Sequence, residues 1–177
     1  METKTLTAAL MLRSLAALDQ KLPRPLTLII GGGGAMLLAH SFPLATADID
    51  AVPKGLSSDE LAPLIAEVSV ELGLPGDWLN QWYSTFTFVL PADYGDRLIE
   101  VFRGSHLLAR ALGADDLLLM KCFAHRRKDV PHARALVRQG ARTDFVYERI
   151  EELAAQKIPG TEAAADFLEE ILDLEDA

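Results

Sequence analysis

Apolar residues recur at helical spacing through "TAALMLRSLAALDQ" (7–20), and the pattern stops at "LPRP". The next run, "LTLII" (26–30), is short and rich in apolar and β-branched residues, which predicts a buried strand. Four glycines, Gly31 to Gly34, follow it, and residues 34–40 have the pattern of a short helix. "ADIDAV" (47–52) alternates and ends at Pro53, which predicts a second strand. Residues 57–74 open with a Ser57–Glu60 capping-box spacing and continue as a helix, with Pro63 in its first turn or at a kink. "STFTFVL" (84–90) and "RLIEVF" (97–102) flank "PADYGD", the pattern of a hairpin. Beyond residue 105 only helical patterns are expected, near 105–112, 115–127, 131–139, 143–157 and 161–174, punctuated by Gly113, Pro131, Gly140 and Pro159–Gly160. The sum is an α+β chain: a small mixed sheet with flanking helices in residues 1–104, then a helical region, 105–177, packed on it.

Composition narrows the class. Half of the 177 residues are hydrophobic, which is enough for a real core and excludes a disordered chain. No stretch approaches eighteen uninterrupted apolar residues, so no membrane span is expected. The N-terminal residues mix Glu2, Arg13 and Asp19 into an apolar pattern and read as an amphipathic helix rather than a secretory signal. A lone cysteine, Cys122, allows neither an internal disulfide nor a cysteine zinc cluster, and a cytoplasmic protein is expected.

Charge is uneven. The net charge is −9, yet Lys121, Arg126, Arg127, Lys128, Arg134, Arg138 and Arg142 fall in one segment with a single acid, Asp129. The tail from 143 onward is strongly acidic. The basic segment suits either a polyanion or the acidic tail.

The glycines pose the chemical question. A strand running into glycines and then a helix can bind an anion, because the first helical N–H groups are unpaired and glycine lets a phosphate approach. Ala35 and Met36 occupy the places where a P-loop needs Lys and Ser or Thr, and Met36 also breaks the dinucleotide G-x-G-x-x-G. Alone, the glycines indicate no more than a tight turn. Asp48 and Asp50, however, bracket Ile49 in a predicted strand, so both carboxylates leave the same face while Ile49 enters the core. Two such charges repel unless a cation lies between them, and Mg²⁺ takes one or two carboxylates together with substrate phosphates. Glu100, in "RLIEVF", is a third acid on an otherwise apolar strand and joins the pair if its strand lies alongside; otherwise it faces water on an edge.

"GGGGAMLLAH…LATADIDAV" resembles the signature of the nucleotidyltransferase (DNA polymerase β-like) superfamily, a glycine turn followed by D-x-D and a later acid. Within it the chain is similar to AbiEii-type and related bacterial nucleotidyltransferases, through Gly32, Gly33, Ala35, His40, Thr46, Asp48, Ile49 and Asp50 and through Lys121, Ala124, Arg127, Lys128 and Asp129 of the helical half. The resemblance covers residues 25–140; it lacks the arginine that relatives carry ahead of the aspartates, and has Glu100 where many have Asp. It implies a catalytic and metal-binding set of Asp48, Asp50 and Glu100 holding Mg²⁺ (or Mn²⁺). Gly32, Gly33, Gly34, Thr46 and Lys121 would form a nucleotide-binding set. The implied activity is transfer of a nucleotidyl group from an NTP to an acceptor: RNA, protein or a small molecule. A toxin–antitoxin role is implied on the same ground. The alternative is a catalytically degenerate member that binds a nucleotide or a partner. No membrane partner is implied, and an oligomer is left open.

Two further patterns are weaker. Arg127 and His132 have the R-x4-H spacing of small helical RNases, interrupted by Pro131. Trp78, Trp82 and Tyr83 suit a core more than a base-stacking platform.

Overall fold

The computed structural model describes residues 5–43, 46–81 and 87–177. They group into two compact units, one drawn from residues 1–85 and 98–112, the other from 86–97 and 113–177. The fold is α+β.

In the first unit, α1 (Ala8–Lys21) starts where Thr7 Oγ1 accepts the Leu10 N–H and buries Met11, Leu15 and Leu18. Strand β1 (Leu26–Ile30) leads into α2 (Gly32–Leu38), then β2 (Ile49–Lys54). Helix α3 (Ser58–Leu72) carries the expected capping box between Ser57 and Glu60 and ends at the left-handed Gly73; Pro63 lies inside it, past the first turn. Strands β3 (Leu79–Asn80), β4 (Ile99–Arg103) and β5 (Leu107–Ala111) complete a sheet of order β3-β2-β1-β5-β4. Strand β1 is antiparallel to β2 and parallel to β5.

The register sorts the sheet into two faces. Leu28, Ile30, Ile49, Ala51, Ala109 and Ala111 are buried on one, where Gly34 of α2 approaches Ile30 and Ile49. Helix α1 packs against α2, α3 and β5. The other face carries Val52, Ile29, Arg110 and Glu100 in register, with Asp50 two residues before Val52.

The second unit is helical. Helix α4 (Ala114–Ala124) is buried from Asp115 to Phe123 and touches α5 (Val130–Arg138), α6 (Thr143–Ala155) and α7 (Thr161–Asp176). The two acids at its start are neutralised in place: Arg97 grips Asp116 with two hydrogen bonds, 2.8 and 2.9 Å, and Arg142 Nε donates to Asp115 at 2.7 Å. Both guanidinium groups also lie over the Phe145 ring, at 4.9 and 4.6 Å. The basic segment meets the acidic tail: Arg127 pairs with Glu170, and Arg134 and Arg138 both with Glu175. Among the described residues no helix is long and apolar enough to cross a membrane.

Three expected elements differ. The helix expected over 105–112 is β5, an inner strand of the sheet. "PADYGD" is not a hairpin connection but runs into a 3-10 turn, Tyr94–Arg97. Of the strand expected over 84–90, residues 84–86 lie outside the described residues, and 87–89 form another 3-10 turn.

Candidate active site at the glycine turn

At the end of β1 the chain turns on Gly31, whose N–H donates to the Asp50 carbonyl at 2.9 Å. Gly32 follows with φ +55°, a conformation that a side chain opposes. A Cβ at Gly32 would stand 2.4 Å from Asp50 Oδ2, inside any tolerable contact. The turn therefore places the backbone at the start of α2 directly against the Asp50 carboxylate. Asp50's other oxygen, Oδ1, accepts from Asn80 Nδ2 at 2.9 Å, an amide presented by the neighbouring strand β3.

Ile49 is fully buried, while Asp48 and Asp50 on either side of it are half-buried. Strand β2 begins at Ile49, so Asp48 sits just ahead of it rather than inside it. Thr46 is anchored through its carbonyl, which accepts the Leu6 N–H at 2.6 Å. His40, at the end of α2, is buried, and its Nε2 donates to the Leu112 carbonyl at 2.9 Å, tying the helix to the end of β5.

Glu100 is not beside the aspartates. Strands β1 and β5 stand between β4 and β2, so three strand spacings, about 14 Å in all, separate them. Its carboxylate, 44 % exposed, takes two hydrogen bonds from Arg103, at 2.9 and 2.6 Å. Those bonds, and Arg110 behind them, hold it below the usual carboxylate range. Glu100 does share a sheet face with Asp50, and the residue between them on β5 is Arg110. Among the described residues no group of three or more His, Cys, Asp or Glu is placed to hold a metal ion. The Asp50 carboxylate against the glycine turn is a hard oxygen donor, the kind of group that Mg²⁺ takes together with water and phosphate.

Lys121 lies in the second unit, buried on α4, with its ammonium 2.5 Å from Asp129 Oδ1 and 3.2 Å from His132 Nδ1. Burial pushes the Asp129 carboxyl up, but His132, Arg126 and Lys121 outweigh it and hold the group far below its ordinary range. Arg127 points outward, 91 % exposed, onto Glu170, whereas His132 points inward, so the R-x4-H pair does not converge. Trp78 is a core residue, its indole donating to the Ile65 carbonyl at 3.0 Å. Trp82 and Tyr83 lie outside the described residues.

The residues that spacing alone did not single out are Asn80 and Arg110. A family model described as "Nucleotidyltransferase of unknown function (DUF6036)" matches residues 9–158. No curated protein and no solved structure matches the chain.

Proposed function

The chain belongs to this nucleotidyltransferase family, and from that premise we propose that it is a metal-dependent enzyme moving a nucleotidyl group from an NTP to an acceptor hydroxyl. The supporting observation is the contact between the glycine turn and Asp50, which offers backbone N–H groups and a carboxylate to one triphosphate. Asp48 and Asp50 would hold Mg²⁺ or Mn²⁺. Such an ion, when bound, neutralises the triphosphate and acidifies the attacking hydroxyl. Gly32 to Gly34 would direct N–H groups at phosphate oxygens, and Thr46 would join them in the nucleotide-binding set that the resemblance implies. The acceptor oxygen bonds to the α-phosphorus, the bond to the bridging oxygen breaks, pyrophosphate departs, and the hydroxyl proton passes to solvent water. A role for Lys121 toward the triphosphate rests on the resemblance alone; in the structure its ammonium is bonded to Asp129. The AbiEii-type placement, a toxin–antitoxin role and the choice among RNA, protein and small-molecule acceptors rest on the resemblance.

Mg²⁺–NTP at a hundred times its Kd stabilises the fold by about 2.7 kcal/mol, raising Tm by roughly 5–10 °C. Asp48→Asn with Asp50→Asn removes the metal-dependent part of that shift. Equal shifts in EDTA and in Mg²⁺ would contradict a metal-bridged triphosphate.

A second reading, a member that binds nucleotide without transferring it, is favoured by the place of Glu100 on the far edge strand. Labelled NTPs incubated with Mg²⁺ and cell extract separate the two readings, since only the first gives a labelled acceptor.

A further inference from the structure

The sheet edge beside Asp50 holds a cavity of about 220 Å³ between α3 and β3. Ala62 and Ile65 of α3 form one wall and Leu79 another, while Asp77, Asn80 and Gln81 supply its polar groups. Its volume exceeds the ~30 Å³ share of a single water and falls below the ~300 Å³ at which whole-ligand pockets begin, a size for one heterocyclic ring. The walls are fixed: Trp78, fully buried, donates to the carbonyl of Ile65, locking α3 to the residue that precedes β3. Asn80 belongs to both places, lining the cavity and donating to Asp50 Oδ1.

Gln81 lines this cavity, yet one atom of its amide is turned away from solvent and unsatisfied. Gln81 Oε1 is buried with no hydrogen-bond partner among the described residues. A buried amide oxygen in that state is costly until a donor reaches it. The same amide has an N–H donor next to the oxygen, so its complement is an amino group beside a ring-nitrogen acceptor, the edge that Gln reads on adenine. Cytosine presents the same pair.

The geometry points to a nucleobase subsite in this cavity, taking adenine or cytosine, with the Gln81 amide turning its unsatisfied Oε1 onto the exocyclic amino group and the ring between Ile65 and Leu79. The inference deepens the nucleotidyltransferase reading and rests on it for the presence of a nucleotide: the base would lie on the β3 side of Asp50, the triphosphate on the glycine side. Asp77, exposed and lining the same cavity, suits ribose hydroxyls, as acidic residues do in other nucleotide sites.

The test uses the full chain and free nucleosides in EDTA, so that neither phosphate nor metal contributes. Adenosine, inosine, cytidine and uridine are titrated by protein-observed NMR. Adenosine should bind about tenfold more tightly than inosine, and cytidine about tenfold more tightly than uridine, because the second of each pair replaces the amino group with an oxygen. Gln81→Leu should bring adenosine down to the inosine level. Ala62→Trp, at an exposed position on the cavity rim, should exclude all four, and it decides the matter if Gln81→Leu does not fold. Equal affinities for adenosine and inosine, or nucleoside binding unchanged by Ala62→Trp, overturns the subsite. If a Mg²⁺-dependent NTP shift persists in that case, the transferase reading survives it. Adenosine binding without any Mg²⁺-dependent NTP shift overturns the transferase reading and leaves the subsite standing.

Discussion

Gly32 meets two demands that only a glycine meets together. Its φ is positive, which costs a side-chain-bearing residue roughly 1–2 kcal/mol, and the space where a Cβ would stand is taken by Asp50 Oδ2. Gly34 differs: a Cβ there would crowd Ile30 and Ile49 at 3.2 and 3.4 Å without touching Asp50. Gly32→Ala should therefore lower Tm by several degrees and remove the Mg²⁺–NTP shift, because Asp50 must move. Gly34→Ala should lower Tm and keep the shift. Thermal melts with and without Mg²⁺–NTP compare the two, and an equal loss of the shift in both variants refutes the special place of Gly32. At this scale the sequence was informative where a motif repeats a physical requirement. Glycines before a D-x-D pair are visible in one dimension. Asn80 was not, since a two-residue strand has no period to read and its value comes from register alignment with Asp50.

Element boundaries show where local preference lost to pairing. Leu107 to Ala111 consists of Leu, Ala and Arg, all good helix formers, and a helix is the local reading. Its burial nevertheless alternates with period two, and pairing with β1 on one side and β4 on the other overrides the propensity. Asp19 of α1 helps by accepting the N–H groups of Ser105, His106 and Leu107, at 3.0, 2.8 and 2.7 Å, which closes the turn into β5. In the second unit the analogous anchor is Asp129, between α4 and α5, buried among Lys121, Arg126 and His132. Removing one member of a buried pair strands the other, so Asp129→Asn should cost about 3–5 kcal/mol in denaturant unfolding at neutral pH. The Asp129 carboxyl is depressed in the folded chain relative to its ordinary 3.8. Its contribution is thus complete above that value and is lost as pH falls through the lower folded value. Wild-type stability should drop below about pH 4 with a slope that Asp129→Asn lacks. Identical acid profiles for the two proteins would show that Lys121 is not held by this charge.

For the whole molecule, the expected class, a mixed sheet and then helices, is what the structure has, but the sequence hid how the chain is shared out. Residues 86–97 belong with the helical unit and 98–112 return to the sheet, so neither unit is one continuous segment. Contiguous pattern reading has no signal for a return of this kind, which is decided by which strand edge remains open. That strand edge has a consequence for synthesis. Leu26 of β1 waits for Leu107 as its parallel partner, and the strands flanking it in the sheet are β2, made soon after, and β5, made much later. On the ribosome, β1 must spend the interval with one edge bare, an apolar ladder of the kind that recruits chaperones or other nascent chains. A chain stopped at residue 104 should therefore aggregate or stay chaperone-bound on release, and refolding of the full chain from denaturant should be slow, limited by this distant pairing. A soluble, cooperatively melting 1–104 fragment in sedimentation and calorimetry would show instead that β1 is protected before β5 exists.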